Sequence, residues 1–263
     1  MMRRFTMAAL AVAVVLAVAL AAPAAVAKKW NKVKEESHQS FDAGKKGSLS
    51  LSNINGDVTV TGYDGTTIEV DAIKYASSQE RLDETTIESS MKNGHVVIKV
   101  DIDDHDDWDH DGNAGVEFTI RVPRGTRIDE VELVNGDLQL DGIEGEVDAS
   151  SVNGDVTATH LSGAVALSAV NGDVELDVTG AVDSIRLQSV NGTVELTLPR
   201  NASARVSAST VHGSIRGTGE IKADRGIVGS SLSSVLGKGE GTIKLDTVNG
   251  NIRIYQEGEK DKG

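Results

Sequence analysis

The sequence contains no cysteine, little proline and few aromatic residues. Its 263 residues include 3 Pro and only 3% aromatics. Without cysteine the chain cannot form disulfides, thiolate metal sites, iron–sulfur clusters or a cysteine-linked lipid anchor. Because large rings are scarce, any core must be built from Val, Ile, Leu and Ala, which favours thin, repetitive packing over a globular core.

Positive charge is also in deficit. The chain carries 26 Lys+Arg against 40 Asp+Glu, a formal net charge of −14 at pH 7. A surface of this sign repels phosphate groups. We therefore expect no nucleic-acid partner.

Residues 1–27 have the pattern of a secretory signal peptide. Arg3 and Arg4 form a basic start, Ala8–Ala22 is an apolar run, and Ala25-Val26-Ala27 is a small-x-small cleavage site. The apolar run is short for a membrane span and is followed by Pro23. We expect an exported protein, in the periplasm, at the cell surface or outside the cell, with no integral membrane segment after cleavage.

An Asn-Gly-Asp motif and its variants recur behind an aliphatic residue. From Asn135 onward the spacings are 18, 18, 20, 21 and 37 residues. A fixed period of this size is typical of stacked repeats. The motif positions are Asn55, Asn135, Asn153, Asn171, Asn191, His212 and Asn249.

Short alternating segments lie between the motifs, and alternation with period two indicates strands with one buried face. Stacking the repeats aligns aliphatic residues into files, among them one that begins with Leu138, Val156 and Val174 and one that begins with Val134, Val152 and Val170. The pattern predicts an all-β fold, a single-chain β-solenoid of about 18–21-residue coils, roughly ten to eleven in number and about 50 Å long. The alternative is a β-sandwich of hairpins, because Asn-Gly also favours hairpin turns.

The motif residues have predicted roles at the corners of the coils. Gly, and to a lesser degree Asn, tolerates the positive φ of a tight turn. Stacked Asn side chains are expected to form an amide ladder, interrupted at His212. Each Asp is expected to bond its own corner.

The predicted organisation has four parts. After the signal peptide, residues 28–47 form a flexible lead-in. Residues 48–256 form the β-solenoid repeat domain, which is irregular over 48–133 and regular over 134–256. Residues 257–263 form a polar tail. Within the irregular part, Ser77–Leu82 carries a capping-box pattern that predicts a short helical turn.

Several segments carry a resemblance to a known family. They are the Val-Asn-Gly-Asp turns, Val122-Pro123-Arg124-Gly125, Leu198-Pro199-Arg200 and the closing segment 241–250. Together they resemble a bacterial adhesin-like, β-strand-repeat family of unknown function, over about Ser48–Tyr255. The resemblance implies a solenoid on an exported or envelope protein, and it implies no catalytic residues.

One acidic segment suggests metal binding. Asp107, Asp109, Asp111 and Gly112 match the first half of a calcium loop, in which alternate oxygens point inward and Gly makes the turn. The expected Glu is replaced by Phe118, so this is not an EF-hand. A looser calcium site, a transition-metal site including His105 and His110, and a solvated acidic loop remain open. No other cofactor is expected.

Two classes of function remain. The first is a non-catalytic exported or cell-envelope β-repeat protein, an adhesin or a scaffold or binding module with an unknown surface partner. The second is a solenoid polysaccharide lyase or hydrolase, calcium-dependent in one version, using Asp155, Asp173 and Arg186. Sugar-binding platforms usually need exposed aromatics, and residues 135–250 contain none. The sequence therefore favours the first class, and we expect no enzyme.

Overall fold

The computed structural model describes residues 33–102, 114–218, 221, 224–225 and 229–258. Strands dominate this part of the chain, which confirms the all-β prediction. One short helix, α1, spans Gln79–Asp83. The strands are β1 Val33–Asp42, β2 Ser48–Asn55, β3 Val58–Tyr63, β4 Thr67–Ala76, β5 Thr85–Lys92, β6 His95–Ile102, β7 Ala114–Pro123, β8 Arg127–Asn135, β9 Leu138–Asp141, β10 Val147–Asn153, β11 Val156–Asn171, β12 Val174–Asn191, β13 Val194–Leu198, β14 Ala204–His212, β15 Ile215–Gly217, β16 Asp224–Arg225, β17 Ser230–Leu236, β18 Gly241–Asn249 and β19 Ile252–Gln256.

Parallel strands stack into two facing sheets, which we call the front face and the back face. The front face contains β6, β2, β8, β10, the C-terminal halves of β11 and β12, β18 and β14. The back face contains β7, β3, β9, the N-terminal halves of β11 and β12, β13, β19 and β15. Consecutive hairpins would pair antiparallel. These parallel registers therefore exclude the β-sandwich of hairpins.

The core lies between the two faces and is built from aliphatic files. On the front face Val147 pairs with Val165, and Val165 pairs with Ile185. On the back face Leu138 pairs with Val156, and the file continues through the strands above, as the period-two pattern predicts. These side chains are almost fully buried. Burial of one such side chain stabilises the fold by about 1.5–3 kcal/mol.

The order of the coils in the stack differs from their order in the chain. The first coil, β2 with β3, lies between β6 with β7 on one side and β8 with β9 on the other. The last coil, β18 with β19, lies between β12 with β13 and β14 with β15. The first and the last of the described coils are thus each inserted one coil inside the stack.

Antiparallel strands cover both ends of the stack. At one end β4 pairs with β1 and β7, and β5 pairs with β6; at the other end β17 pairs with β14 and β16. The helical turn predicted before Leu82 is present as α1, where the Ser78 side chain accepts a hydrogen bond from the Arg81 backbone N–H. Such additions cover strand edges that would otherwise pair with other chains.

Two predictions about extent are wrong. Residues Val33–Asp42 of the predicted flexible lead-in form β1, which is held along its length by antiparallel pairing with β4. The stack also has fewer coils than the predicted ten to eleven. Eight front-face strands lie between the caps, which corresponds to about 38 Å. The remaining residues extend the caps as antiparallel strands instead of adding coils.

Candidate functional site

The corners between the faces contain the amide ladder that the sequence predicts. Asn153 Nδ2 donates to Asn135 Oδ1 at 2.9 Å, and Asn171 Nδ2 donates to Asn153 Oδ1 at 2.9 Å. The ladder extends to Asn55 at one end and through Asn191 to Asn249 at the other. Each amide from Asn135 to Asn191 both donates and accepts within the ladder, so the ladder fixes the register of neighbouring coils.

The corner aspartates bond to the neighbouring coil, and the prediction that each bonds its own corner is wrong. Asp155 N–H donates to Asp137 Oδ1 at 2.9 Å, and Asp173 N–H donates to Asp155 Oδ1 at 2.8 Å. The stacking brings each carboxylate under the N–H of the equivalent residue in the next coil. Asp155 and Asp173, two of the residues named for the lyase alternative, are therefore bound into the corner.

Close stacking, more than positive φ, requires glycine at the corners. A Cβ on Gly172 would lie 2.0 Å from the carbonyl oxygen of Gly154, and a Cβ on Gly192 would lie 2.0 Å from that of Gly172. Asn93 and His160 are the non-glycine residues with positive φ in the described part of the chain, so the corner asparagines do not need it. The sequence-based explanation of the corner was therefore wrong for Asn and incomplete for Gly.

A column of valines runs along the corner edge of the front face and points outward. Val134, Val152, Val170 and Val190 are 40–42% exposed. The file is continued by Val248 and Val211, at 41% and 48%. We call these six residues the valine column. The prediction that this file is buried is wrong, because the preceding residue of each strand takes the inward position.

Those inward residues make the surface rigid. Ser151 Oγ donates to Gly136 O at 3.1 Å, and Ser189 Oγ donates to Gly172 O at 2.9 Å. Thr247 and Thr210 make the same bond with Gly192 and Gly250. Each of these four hydroxyls is buried and donates to the corner carbonyl of an adjacent coil, so the strands that carry Val152, Val190, Val211 and Val248 are anchored.

A shallow groove follows the valine column. It has a volume of about 600 Å³ and is bounded on its other side by small or polar residues: Ser150, Ser168, Gln188, Ser209 and Asp246. Small side chains leave the sheet flat enough for a second surface to approach closely. The arrangement offers an apolar strip beside hydrogen-bonding groups, which suits binding rather than a reaction.

Charge is segregated along the same face. Glu130 and Asp148 lie on adjacent strands on one side of Ala166, and Arg186 and Lys244 lie on adjacent strands on the other. Burial and the nearby charges of Glu130 and Glu146 raise the pKa of Asp148. Neither Asp148 nor Arg186 has an ion-pair partner among the residues that the structure describes.

The family is decided by a match that spans this whole arrangement. The family model described as Toastrack DUF4097 matches residues 40–255. The chain belongs to the Toastrack DUF4097 family. This confirms the resemblance read from the Val-Asn-Gly-Asp turns, to a family whose function is unknown.

Other comparisons add little to the Toastrack assignment. No curated protein matches the chain. A Clostridium sporogenes structure, provisionally described as a cell adhesion protein, is 16% identical with a TM-score of 0.47, covering 86% of this chain and 100% of that one. A Bacteroides fragilis structure, provisionally described as an adhesin, is 14% identical with a TM-score of 0.36, covering 84% and 97%. Likeness at this level carries no argument about function.

A Ser-His-Asp cluster in the Toastrack fold was missed by sequence reasoning. His95 Nδ1 lies 2.6 Å from Ser48 Oγ and 3.2 Å from Asp129 Oδ2. Burial raises the pKa of Asp129, but hydrogen bonds from Arg127 and Ser48 and the charge of Arg127 outweigh burial and lower it. A catalytic relay needs Ser and Asp on different ring nitrogens. Here both contact Nδ1, so the cluster ties β2 to its neighbours. Only strand register, which the sequence does not give, brings these residues together.

A second histidine contact lies at the edge opposite the corners. His160 Nδ1 is 2.8 Å from Asp141 Oδ1, on the neighbouring coil. The hydrogen bond with Asp141 raises the pKa of His160, and the same bond, with one from Thr159, lowers the pKa of Asp141. Both side chains are exposed to solvent, so this contact is a local link between coils.

The predicted metal ligands Asp107, Asp109 and Asp111 lie outside the described residues, between β6 and β7, and the calcium site stays a prediction. The predicted signal peptide also lies outside them. In the described ranges, no three or more His, Asp or Glu side chains form a cluster that could hold a metal ion. The same part of the chain has no helix of the length and apolarity needed to cross a bilayer.

Proposed function

We propose that this Toastrack chain is an exported or cell-envelope protein that works without catalysis, as an adhesin, scaffold or binding module. Its β-solenoid of 18–21-residue coils, with Asn-Gly-Asp corners, would serve as a rigid support for the front face. The observation that carries this proposal is the valine column, a continuous apolar strip on an otherwise polar surface. Exposed apolar strips rimmed by polar groups are typical of interaction sites.

The support beneath the strip favours binding over chemistry. The column sits on strands that are fixed by the Asn ladder and by the buried hydroxyls of Ser151 and Ser189. A rigid surface loses little conformational entropy when a partner binds. The side chains beside the column are serines, one glutamine and Asp246, and the carboxylate of Asp246 already accepts a hydrogen bond from Ser209 and pairs with Lys244. This edge therefore offers hydrogen-bonding groups to a partner.

The experiment has two parts. Fractionation of producing cells should place the chain in the envelope or outside the cell. Purified chain should then co-sediment with isolated envelopes, and the variant Val152→Ser/Val170→Ser/Val190→Ser should lose retention about tenfold. Val235→Ser is the matched control, because Val235 is 59% exposed but lies in β17, outside the column.

Three results would overturn the proposal. The first is a chain found only in the cytoplasm. The second is a triple variant that is retained as well as the unaltered chain. The third is release of soluble fragments from an acidic polysaccharide by the purified chain, which would favour the lyase or hydrolase alternative.

A further inference from the structure

We propose that the partner of the front face is the front face of a second copy of this chain. The two copies are related by a two-fold axis that runs parallel to the strands and passes by Ala166. This inference rests on the proposed function, because it names the partner of the surface that the proposal identifies. The evidence is the order of charges, the order of apolar residues and the size of the face.

The charges on the front face are complementary to themselves under this axis. The axis reverses the order of the coils, so a residue one coil before Ala166 meets the residue one coil after it. Asp148 then faces Arg186 of the second copy, and Glu130 faces Lys244 of the second copy. Because a two-fold interface uses the same patch twice, each of these pairs forms twice.

The valine column is also self-complementary. Val170 lies level with Ala166 and meets its own copy, while Val152 meets Val190 and Val134 meets Val248. Beside the valine column, β10 and β11 carry Ser150 and Ser168, whose small side chains let the two sheets approach to the ordinary spacing of about 10 Å. Five of the six exposed valines thus become buried against valines, and Val211 meets Ile54 of the second copy.

One pair of like charges is brought together. Glu132 faces Asp246 of the second copy in this arrangement. Lys244 Nζ already lies 3.2 Å from Asp246 Oδ2 in the same chain, so the carboxylate of Asp246 is largely neutralised. The two favourable pairs outnumber this contact. Lys244 would be shared between Asp246 of its own chain and Glu130 of the second copy, whereas Asp148 and Arg186 have no ion-pair partner among the described residues of a single copy.

The face is large enough for a stable dimer. Seven front-face strands, from β2 to β14, lie symmetrically about β11 and cover about 34 Å, and seven residues along each strand cover about 23 Å, a flat area of about 770 Å². Stable interfaces bury about 800 Å² of accessible surface per partner, and accessible surface exceeds flat area because side chains are corrugated. The net charge of −14 opposes pairing at low salt, but the Debye length of about 8 Å at physiological salt leaves contacting pairs effective.

Sedimentation velocity over a micromolar concentration series tests the inference. The unaltered chain should form a dimer. Asp148→Arg and Arg186→Asp should each weaken the dimer about tenfold or more, because each places two like-charge pairs in the interface. An equimolar mixture of these two variants should regain dimers. In the mixed dimer the arginine introduced at position 148 of one chain faces the aspartate introduced at position 186 of the other, and the second pair keeps its original residues. Asp64→Arg, a charge reversal in the exposed β3–β4 turn, should leave the dimer unchanged.

The outcomes separate this inference from the proposed function. A monomer at every concentration, or variants whose mixture does not recover, would overturn the inference; if the valine column is still needed for envelope retention, the proposed function stands. A dimer with charge-swap recovery supports the inference even when the envelope experiment fails. Circular dichroism of each variant shows whether it is folded, and the mixture tests pairing with the same two chains that fail alone.

Discussion

The front and back faces have inner surfaces of the same kind and outer surfaces that differ. The inward residues of both faces are aliphatic and buried, so both faces contribute to the core in the same way. Outward, arginines on back-face strands form ion pairs with carboxylates of neighbouring strands, Arg121 with Glu69 of the cap and Arg253 with Glu195. On the front face Arg186 and Lys244 are neighbours of like charge, and the ion pair of Lys244 is with Asp246 of its own strand. The inner surface is dictated by stacking, whereas the outer surface is free to specify a partner.

The largest expected effect comes from a substitution that disrupts the stacking on which both faces depend. Gly172→Ala places a Cβ 2.0 Å from the Gly154 carbonyl oxygen, and this backbone cannot move without displacing its coil. We expect a loss of about 3 kcal/mol or more in the free energy of unfolding, measured by denaturant titration. Gly163→Ala is the control, because its Cβ would lie at ordinary contact distance and only its φ of 99° is strained. A smaller loss for Gly172→Ala than for Gly163→Ala would contradict the stacking explanation.

The next effect tests whether the inner surfaces are equivalent. Leu167→Ala on the front face and Leu176→Ala on the back face each remove a buried side chain, 2% and 0% exposed. Each should lose about 3 kcal/mol in the free energy of unfolding, because a cavity is left in the same core. A difference of more than about 1.5 kcal/mol between them would mean that one face carries more of the stability.

The amide ladder that joins the two faces should contribute less. Asn171→Ala removes its bond to Asn153 and the bond from Asn191, both exposed, and should lose about 1 kcal/mol in unfolding free energy. Gln188→Ala is the matched control, because this exposed front-face amide has no hydrogen bond to another described residue. We expect a change within about 0.5 kcal/mol for Gln188→Ala. Equal losses would show that the ladder bonds add nothing.

The smallest effect concerns the edge opposite the corners. The pKa of His160 is raised above 6.5. The contact of His160 with Asp141 therefore contributes fully to folding stability below pH 6.5, and this contribution is lost as pH rises through the folded pKa. The pKa of Asp141 is lowered from 3.8, so the contribution of its carboxylate to folding stability is lost as pH falls through the folded pKa. A proton NMR titration should show the raised pKa of His160 and its return toward 6.5 in Asp141→Asn. An unchanged pKa in that variant would refute the assigned cause.

Sequence reasoning succeeded where a local rule has one outcome. Period-two alternation placed Leu138 and Val156 in one buried file, and the recurrence of Asn predicted the ladder. It failed for Val152 because a buried Ser151 hydroxyl, bonded to Gly136, takes the inward position that hydrophobicity assigns to valine. Strand register places Asp148 and Arg186 on opposite sides of Ala166, and the sequence alone does not give this register. The front face could therefore not be recognised as a binding surface from the sequence.

The order of the coils was beyond sequence reasoning for a related reason. Coils with equivalent corners fit equally well against one another, so the sequence does not say that the coil of Asn249 packs between those of Asn191 and His212. Spacing along the chain suggested simple succession instead.

The inserted last coil changes what truncation means for this molecule. Deleting residues from Gly241 onward would not shorten the stack by a layer at its tip. It would open a slot one layer wide, about 9.6 Å from β12 to β14, with unsatisfied strand edges on both walls. Residues 241–256 are synthesised after the coils on both sides of this slot, so those coils can pack into the finished stack only once these residues have been added.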